Sequence, residues 1–191
     1  MAVAVLAALT TVGCTAEKPG DPGPAGQTSA TSTSTSTTSA NTSRPQELKL
    51  DGVDPCQVLT ADQMNQLAVV ESARNDSDIV KTGDVPTCDY TNNRSPRITY
   101  GVAVVTAKGI EYWQGGGNVE VQQIEVSGYP AVQLTLTGTS TLDCSVAVDV
   151  SDGQQLYVDF SPVGQESSQK QMCDNAKRAA ELALVTLPTL V

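Results

Sequence analysis

Five cysteines are the residues of this chain best equipped for chemistry, and their positions sort them into two groups. Cys14 stands between an apolar run and a long polar stretch, whereas Cys56, Cys88, Cys144 and Cys173 are spread through the remainder. A thiol can serve as a nucleophile, a metal ligand, a lipid attachment point or half of a disulfide. The first use needs a general base, and the usual one, histidine, is absent from the chain. A Ser-His-Asp or Cys-His device is therefore impossible. No C-x-x-C spacing occurs and no imidazole is available, which argues against a zinc set. Four later cysteines in an exported domain read as two disulfides, with three possible connectivities.

Other motifs carry less. Asp76 and Asp78 in "RNDSDIV" form a D-x-D, without the further ligands and glycine of a calcium loop. The glycines at 115 to 117 neither follow a strand directly nor open a helix, so they make no phosphate loop. Asn93-Arg94-Ser95 matches a glycosylation sequon. These residues specify no reaction, and the expectation is a protein that is not an enzyme and holds no cofactor or metal. The 21 acidic residues against 11 basic ones give a net charge of −10. With no Lys/Arg cluster to offset it, that surface repels phosphate backbones and excludes nucleic acid as a partner.

The setting of Cys14 is an address. Residues 2 to 9, "AVAVLAAL", are apolar but far shorter than the ~20 residues of a membrane span. They read as the hydrophobic part of a secretory signal. The "TVGC" that follows resembles a bacterial lipobox, with Thr11 where leucine is usual. That resemblance implies cleavage after Gly13 and a lipid on Cys14, which becomes the mature N-terminus. From Thr15 to Gln46 the chain is Thr, Ser, Pro and Gly with almost no large apolar residue. Such a segment cannot offset its ordering entropy, so a disordered tether is expected, with a reach of roughly 30 Å. The expected organisation is a signal peptide over 1–13, a lipidated Cys14 and tether over 14–46, and one globular domain over 47–191.

Within that domain, "CSVAVDVSDGQQLYVDF" at 144 to 160 reads as a hairpin. Cys144, Val146, Val148 and Val150 alternate with Ser145, Ala147 and Asp149; Leu156, Val158 and Phe160 alternate with Tyr157 and Asp159. A two-residue Asp152-Gly153 loop would mix the faces. A three-residue loop, Ser151-Asp152-Gly153, pairs Val148 with Leu156, Val146 with Val158 and Cys144 with Phe160, putting Cys144 in the core. Downstream, Cys173, Ala176, Ala180, Leu184 and Leu187 share one stripe of a helix that stops at Pro188. Both thiols then face one helix–sheet interface, which predicts Cys144–Cys173 and leaves Cys56–Cys88. Each bond closes about 30 residues and contributes roughly 3–4 kcal/mol in the chain-entropy model.

Upstream, Asp54 before Pro55 is a helix-capping pattern, and Thr60 with Gln63 forms a capping box. "CDYT", "RITYGVAVV", "VEVQQIEV" and "AVQLTLT" read as strands, and "AKGIEYWQGGG" as a short helix carrying Trp113. Val119/Val121 and Ile124/Val126 are out of phase, which predicts a bulge near Gln122-Gln123. The expected fold class is α+β: an antiparallel meander sheet with helices packed on one face, stapled by disulfides. Its outer face would carry Thr99, Gly101, Ala103, Gln133, Thr135, Ser145, Ala147 and Tyr157. An ordinary solvated face would look the same, but Tyr157 and Trp113 are the candidate ligand-binding residues.

Asp54-Pro55-Cys56 with Leu59-Thr60, Cys88 with Tyr90 two residues on, Pro130-Ala131 at a strand start, Cys144, and Cys173 in a closing helix form one pattern. It resembles an actinobacterial lipoprotein family, the domain-of-unknown-function 3558 family. The resemblance implies an exported, disulfide-stapled, membrane-anchored domain and brings no substrate or catalytic residue.

Together these readings point to a lipoprotein on the outer face of the cytoplasmic membrane, a non-catalytic binding or sensing module for an envelope ligand or partner protein. The alternative is a structural accessory lipoprotein with no small-molecule ligand. Replacing Cys14 by alanine is expected to move the protein from the membrane fraction to the soluble one, read by fractionation and by the mass of the mature N-terminus.

Overall fold

The computed structural model describes residues 43–138, 143–164 and 167–191. The expected signal peptide, Cys14 and nearly all of the tether lie outside the described residues. Two helices flank the strands: α1 (Ala61–Gln66) precedes them and α2 (Gln169–Thr186) follows. The strands are β1 (Glu71–Ser77), β2 (Val85–Asn92), β3 (Arg97–Val105), β4 (Val119–Val126), β5 (Tyr129–Leu136), β6 (Cys144–Ser151) and β7 (Gln154–Val163). All seven form one antiparallel sheet in the order β1-β2-β3-β7-β6-β5-β4. Two runs of hairpin-linked strands are thus zipped together along β3 and β7. One long step carries the chain from β3, in the middle, to β4, at the far edge.

The β6–β7 hairpin pairs Cys144 with Phe160, Val146 with Val158 and Val148 with Leu156, the register that one apolar face requires. Two devices produce it. Asp152-Gly153 turns between Ser151 and Gln154, and the ladder shifts between Asp149 and Ser151, leaving Val150 as an extra residue. Gly153 sits at φ +69°, where a side chain would be strained. The expected three-residue loop is therefore a two-residue turn plus a bulge, and the two amount to the same register.

α2 opens on a capping box: Ser168 accepts from the Gln171 amide at 3.2 Å, while Gln171 accepts from the Ser168 amide at 3.0 Å. Its buried stripe is wider than five residues, adding Met172, Ala179 and Ala183 to the expected set. Four of the buried positions are alanine, which lets the helix backbone approach β6 and β7 closely. Cys173 is bonded to Cys144 there, with the Cα atoms 5.0 Å apart. Cys56 is bonded to Cys88 with a Cα separation of 5.1 Å. Beside that second bond, the buried Tyr90 hydroxyl donates to the Pro55 carbonyl at 2.7 Å, tying the N-terminal turn to β2. Gln63 ties α1 to α2: it donates to the Leu182 carbonyl and accepts from the Thr186 hydroxyl, each at 2.8 Å.

Four sequence expectations are corrected. β1 was not anticipated, because six of its seven residues are exposed and no apolar alternation marks it; Asp76 of the D-x-D lies within it, paired opposite Pro86. β4 has no bulge: its ladder with β5 runs without interruption from Val119 to Val126. Val121 and Ile124 are out of phase because they serve different clusters, Val121 beside Val132 and Leu134, Ile124 beside the large core. β5 is two-sided for the same reason. Its Gln133 lies opposite Val146, so Gln133 and Thr135 share the face of the large core and not the outer face. Finally, Arg44 is ion-paired with Asp149 at 2.9 Å and Asp152 at 2.8 Å, so ordered contacts begin before residue 47.

Replacing Cys144 and Cys173 together by alanine is expected to lower stability by about 2–5 kcal/mol. Denaturant unfolding measures the loss. Hydrogen exchange is expected to place it first in α2.

Candidate functional site

The step from β3 to β4 positions both aromatic candidates. It passes through a short 3-10 helix, Ile110–Gly115, that carries Trp113 against the outer face of the sheet. Gln155, fully buried at the start of β7, clamps this crossover. Its amide donates to the carbonyls of Lys108 at 2.9 Å and Gly109 at 3.0 Å, and its oxygen accepts from the Trp113 indole at 2.7 Å. Trp113 stacks on Tyr157, with ring centroids 5.6 Å apart and planes inclined by 25°, and Tyr112 meets Trp113 edge-on at 5.0 Å. The Tyr157 hydroxyl donates to Ser145 at 2.7 Å, and burial pushes its pKa upward.

Trp113 and Tyr157 are therefore brought together, but onto each other. Their polar atoms are satisfied within the protein, and Ala103 and Ala147 beneath them are fully buried. The expected solvent-open ligand face is, over this stretch, a second hydrophobic core. The residue that builds it, Gln155, was missed by sequence reasoning. A glutamine beside a hairpin turn gives no hint that a crossover will lie on top of it.

Further along β7 the same face becomes acidic. Asp159 lies opposite Gly101, which has Asp89 on its other side. A Cβ on Gly101 would collide with the Asp159 carboxylate, so the glycine is what admits that side chain. Burial, with the charges of Asp143 and Asp89, lifts Asp159 from its ordinary 3.8 to about 7, against a hydrogen bond from the Gly101 backbone. Among the described residues no group of histidine, cysteine or acidic side chains is arranged to hold a metal ion.

The opposite face retains an opening. Tyr100 and Phe160 are cross-strand partners on β3 and β7, their rings 4.8 Å apart and tilted by 50°. With Ile98 and Leu67 they floor a groove of about 380 Å³, whose rim carries Asn175 and Arg178 of α2. Arg178 donates to the Gln66 side chain at 3.3 Å across that rim. Ala68, also on the rim, has φ +57°. The Ala68 and Val69 amides close the end of α1 on the carbonyls of Asn65 and Met64, a C-cap geometry in which glycine is usual. An alanine there costs roughly 1 kcal/mol and adds a methyl group to the groove wall. A smaller cavity of about 270 Å³ lies beside Asp54 and Arg74, which are paired with each other at 3.3 Å.

Residues 9–186 match a family described as "Protein of unknown function (DUF3558)". The chain belongs to this family. The Asp54-Pro55-Cys56 turn and the cysteine framework had carried the same resemblance. No curated protein and no solved structure matches the chain. For this DUF3558 domain the geometry therefore has to supply the argument about function.

The half-buried carboxyl of Asp159 gives a measurable pH signature. Its folded pKa lies above its unfolded one, so its contribution to stability is complete below about pH 4 and is lost as pH rises towards about 7. Relative to Asp159→Asn, the native protein is expected to lose stability across that window and to show a constant difference above it. Chemical unfolding of the two proteins at a series of pH values checks this.

Proposed function

We propose that this protein is a membrane-anchored extracytoplasmic lipoprotein whose domain is a non-catalytic binding or sensing module, with its site in the groove over Tyr100 and Phe160. We further infer that α1 and α2 cover one face of the sheet and leave this groove between them. The observation that carries the reading is the contrast between the faces. The aromatic pair under α2 opens on a groove of about 380 Å³, within the range of small-molecule sites, while the aromatic residues of the other face are bonded to the protein itself.

Chemistry at the groove supports binding over catalysis. The chain has no histidine, and the four domain cysteines are bonded in pairs. Burial pushes the Tyr100 hydroxyl up to about 12, so it is a hydrogen-bond donor and not a base near neutral pH. The disulfides suit an oxidising compartment. Among the described residues no helix is long and apolar enough to cross a membrane. In this reading attachment rests on lipidation of Cys14, which lies outside the described residues.

A ligand-free scaffolding role draws on one specific observation, the β1 edge strand with its exposed polar side chains. Native mass spectrometry of the full-length protein taken from its source membranes separates the two roles. A binding module is expected to carry a small-molecule adduct, and Asn175→Trp, which fills the groove, to lose it. The absence of an adduct from both proteins, with identical melting temperatures, would favour the scaffold.

A further inference from the structure

We propose that the groove takes a single-chain amphiphile with a carboxylate head, the head held by Arg178, Tyr100 and Asn175 and the chain lying on Ile98 and Phe160. This rests on the reading that the groove is the binding site. The decisive feature is a cation set at the groove beside a buried phenol that bonds nothing among the described residues. In a protein of net charge −10, the ion pairs among the described residues go to Arg44, Arg74 and Lys170. Among the described residues Arg178 has none, and the one side-chain bond it makes to them is to a neutral amide, that of Gln66. Asp174, one helical turn away, is taken by Lys170 at 2.6 Å.

A second donor converges on the same place. Among the described residues the Tyr100 hydroxyl makes no hydrogen bond, and the charge of Arg178 is close enough to oppose the upward shift that burial gives it. The Asn175 amide lines the groove beside them. A guanidinium, a phenol and an amide are donors suited to an anionic oxygen pair, and charge-assisted bonds of this kind are the strong ones. One unpaired cation balances one negative charge, which favours a carboxylate over a dianionic phosphate so near Asp174 and Glu181. A neutral polar ligand would give Arg178 no opposite charge, and a small inorganic anion would leave the half-exposed Ile98 side of the groove unfilled.

Size selects the tail. The groove holds about a dozen water volumes, which suits one medium-length acyl chain and excludes a two-chain lipid.

The test uses the full-length Cys14→Ala protein and probes below their micelle concentrations: decanoate, decyltrimethylammonium with the same chain and opposite charge, and acetate with the head alone. Decanoate is expected to raise the melting temperature and to give a saturable heat of binding, and the other two to do neither. Arg178→Gln is expected to weaken decanoate by about tenfold or more, with Arg178→Lys intermediate. Equal binding of the cationic probe would overturn the carboxylate assignment and leave the groove as the site. Decanoate binding unchanged by Asn175→Trp would overturn the groove itself. A failure of decanoate to bind at any concentration below its micelle concentration would overturn the ligand class, while the membrane-derived adduct remains a separate measure of the groove.

Discussion

The pairing of β3 with β7 is the constraint on which the rest of the molecule depends. It joins residues 50 to 66 positions apart in the chain and zips the two hairpin runs into a single sheet. Both strands carry buried residues on both faces over their inner stretch, and many residues along them have a fixed task. Val102, Val104, Leu156 and Val158 supply the large core. Ala103 and Tyr157 supply the second core. Tyr100 against Phe160, towards one end of the seam, makes the groove floor, and Gly101 against Asp159 makes the slot for a half-buried carboxyl. A shift of one residue would exchange all of these between faces.

Around that seam the chain uses covalent and polar ties where apolar area is scarce. α2 presents mainly alanine, so it approaches the sheet closely but buries little side-chain surface of its own. The Cys144–Cys173 bond offsets this by limiting the entropy of the unfolded chain. At the other end, α1 is too short to be stable alone, and Gln63 fastens it to α2 through two hydrogen bonds. Cys56–Cys88 and the Tyr90 hydroxyl hold the turn before it. The groove lies between elements fastened in this way, which favours a rim that is positioned in advance of any ligand.

The division of labour between the faces follows from the single crossover. To reach β4 at the far edge, the chain must pass over one face of the sheet, and it seals that face with Trp113 and Gln155 as it goes. The aromatic residues most conspicuous in the sequence are thereby spent on packing. Those at the groove are less conspicuous: Tyr100 reads as one more member of an alternating strand, and Arg178 as one more charge on the solvent side of a helix.

What the sequence determined by itself is local or nearly so. The capping patterns of Asp54 and of Thr60 with Gln63, the β6–β7 register, and the inward direction of Cys144 and Cys173 follow from periods of two and 3.6 residues and from turn chemistry. Tertiary structure alone decided which strands meet and what covers each face. Alternation fixes the side on which a residue lies relative to its own strand, and it is silent on whether that side meets a helix, a crossover or water. Hence β1, polar along its length, left no trace, and the two-sided β4 imitated a bulge. The groove is beyond local reading altogether: Tyr100, Phe160 and Arg178 come from β3, β7 and α2, Leu67 follows α1, and the non-local pairing of β3 with β7 sets the two rings side by side.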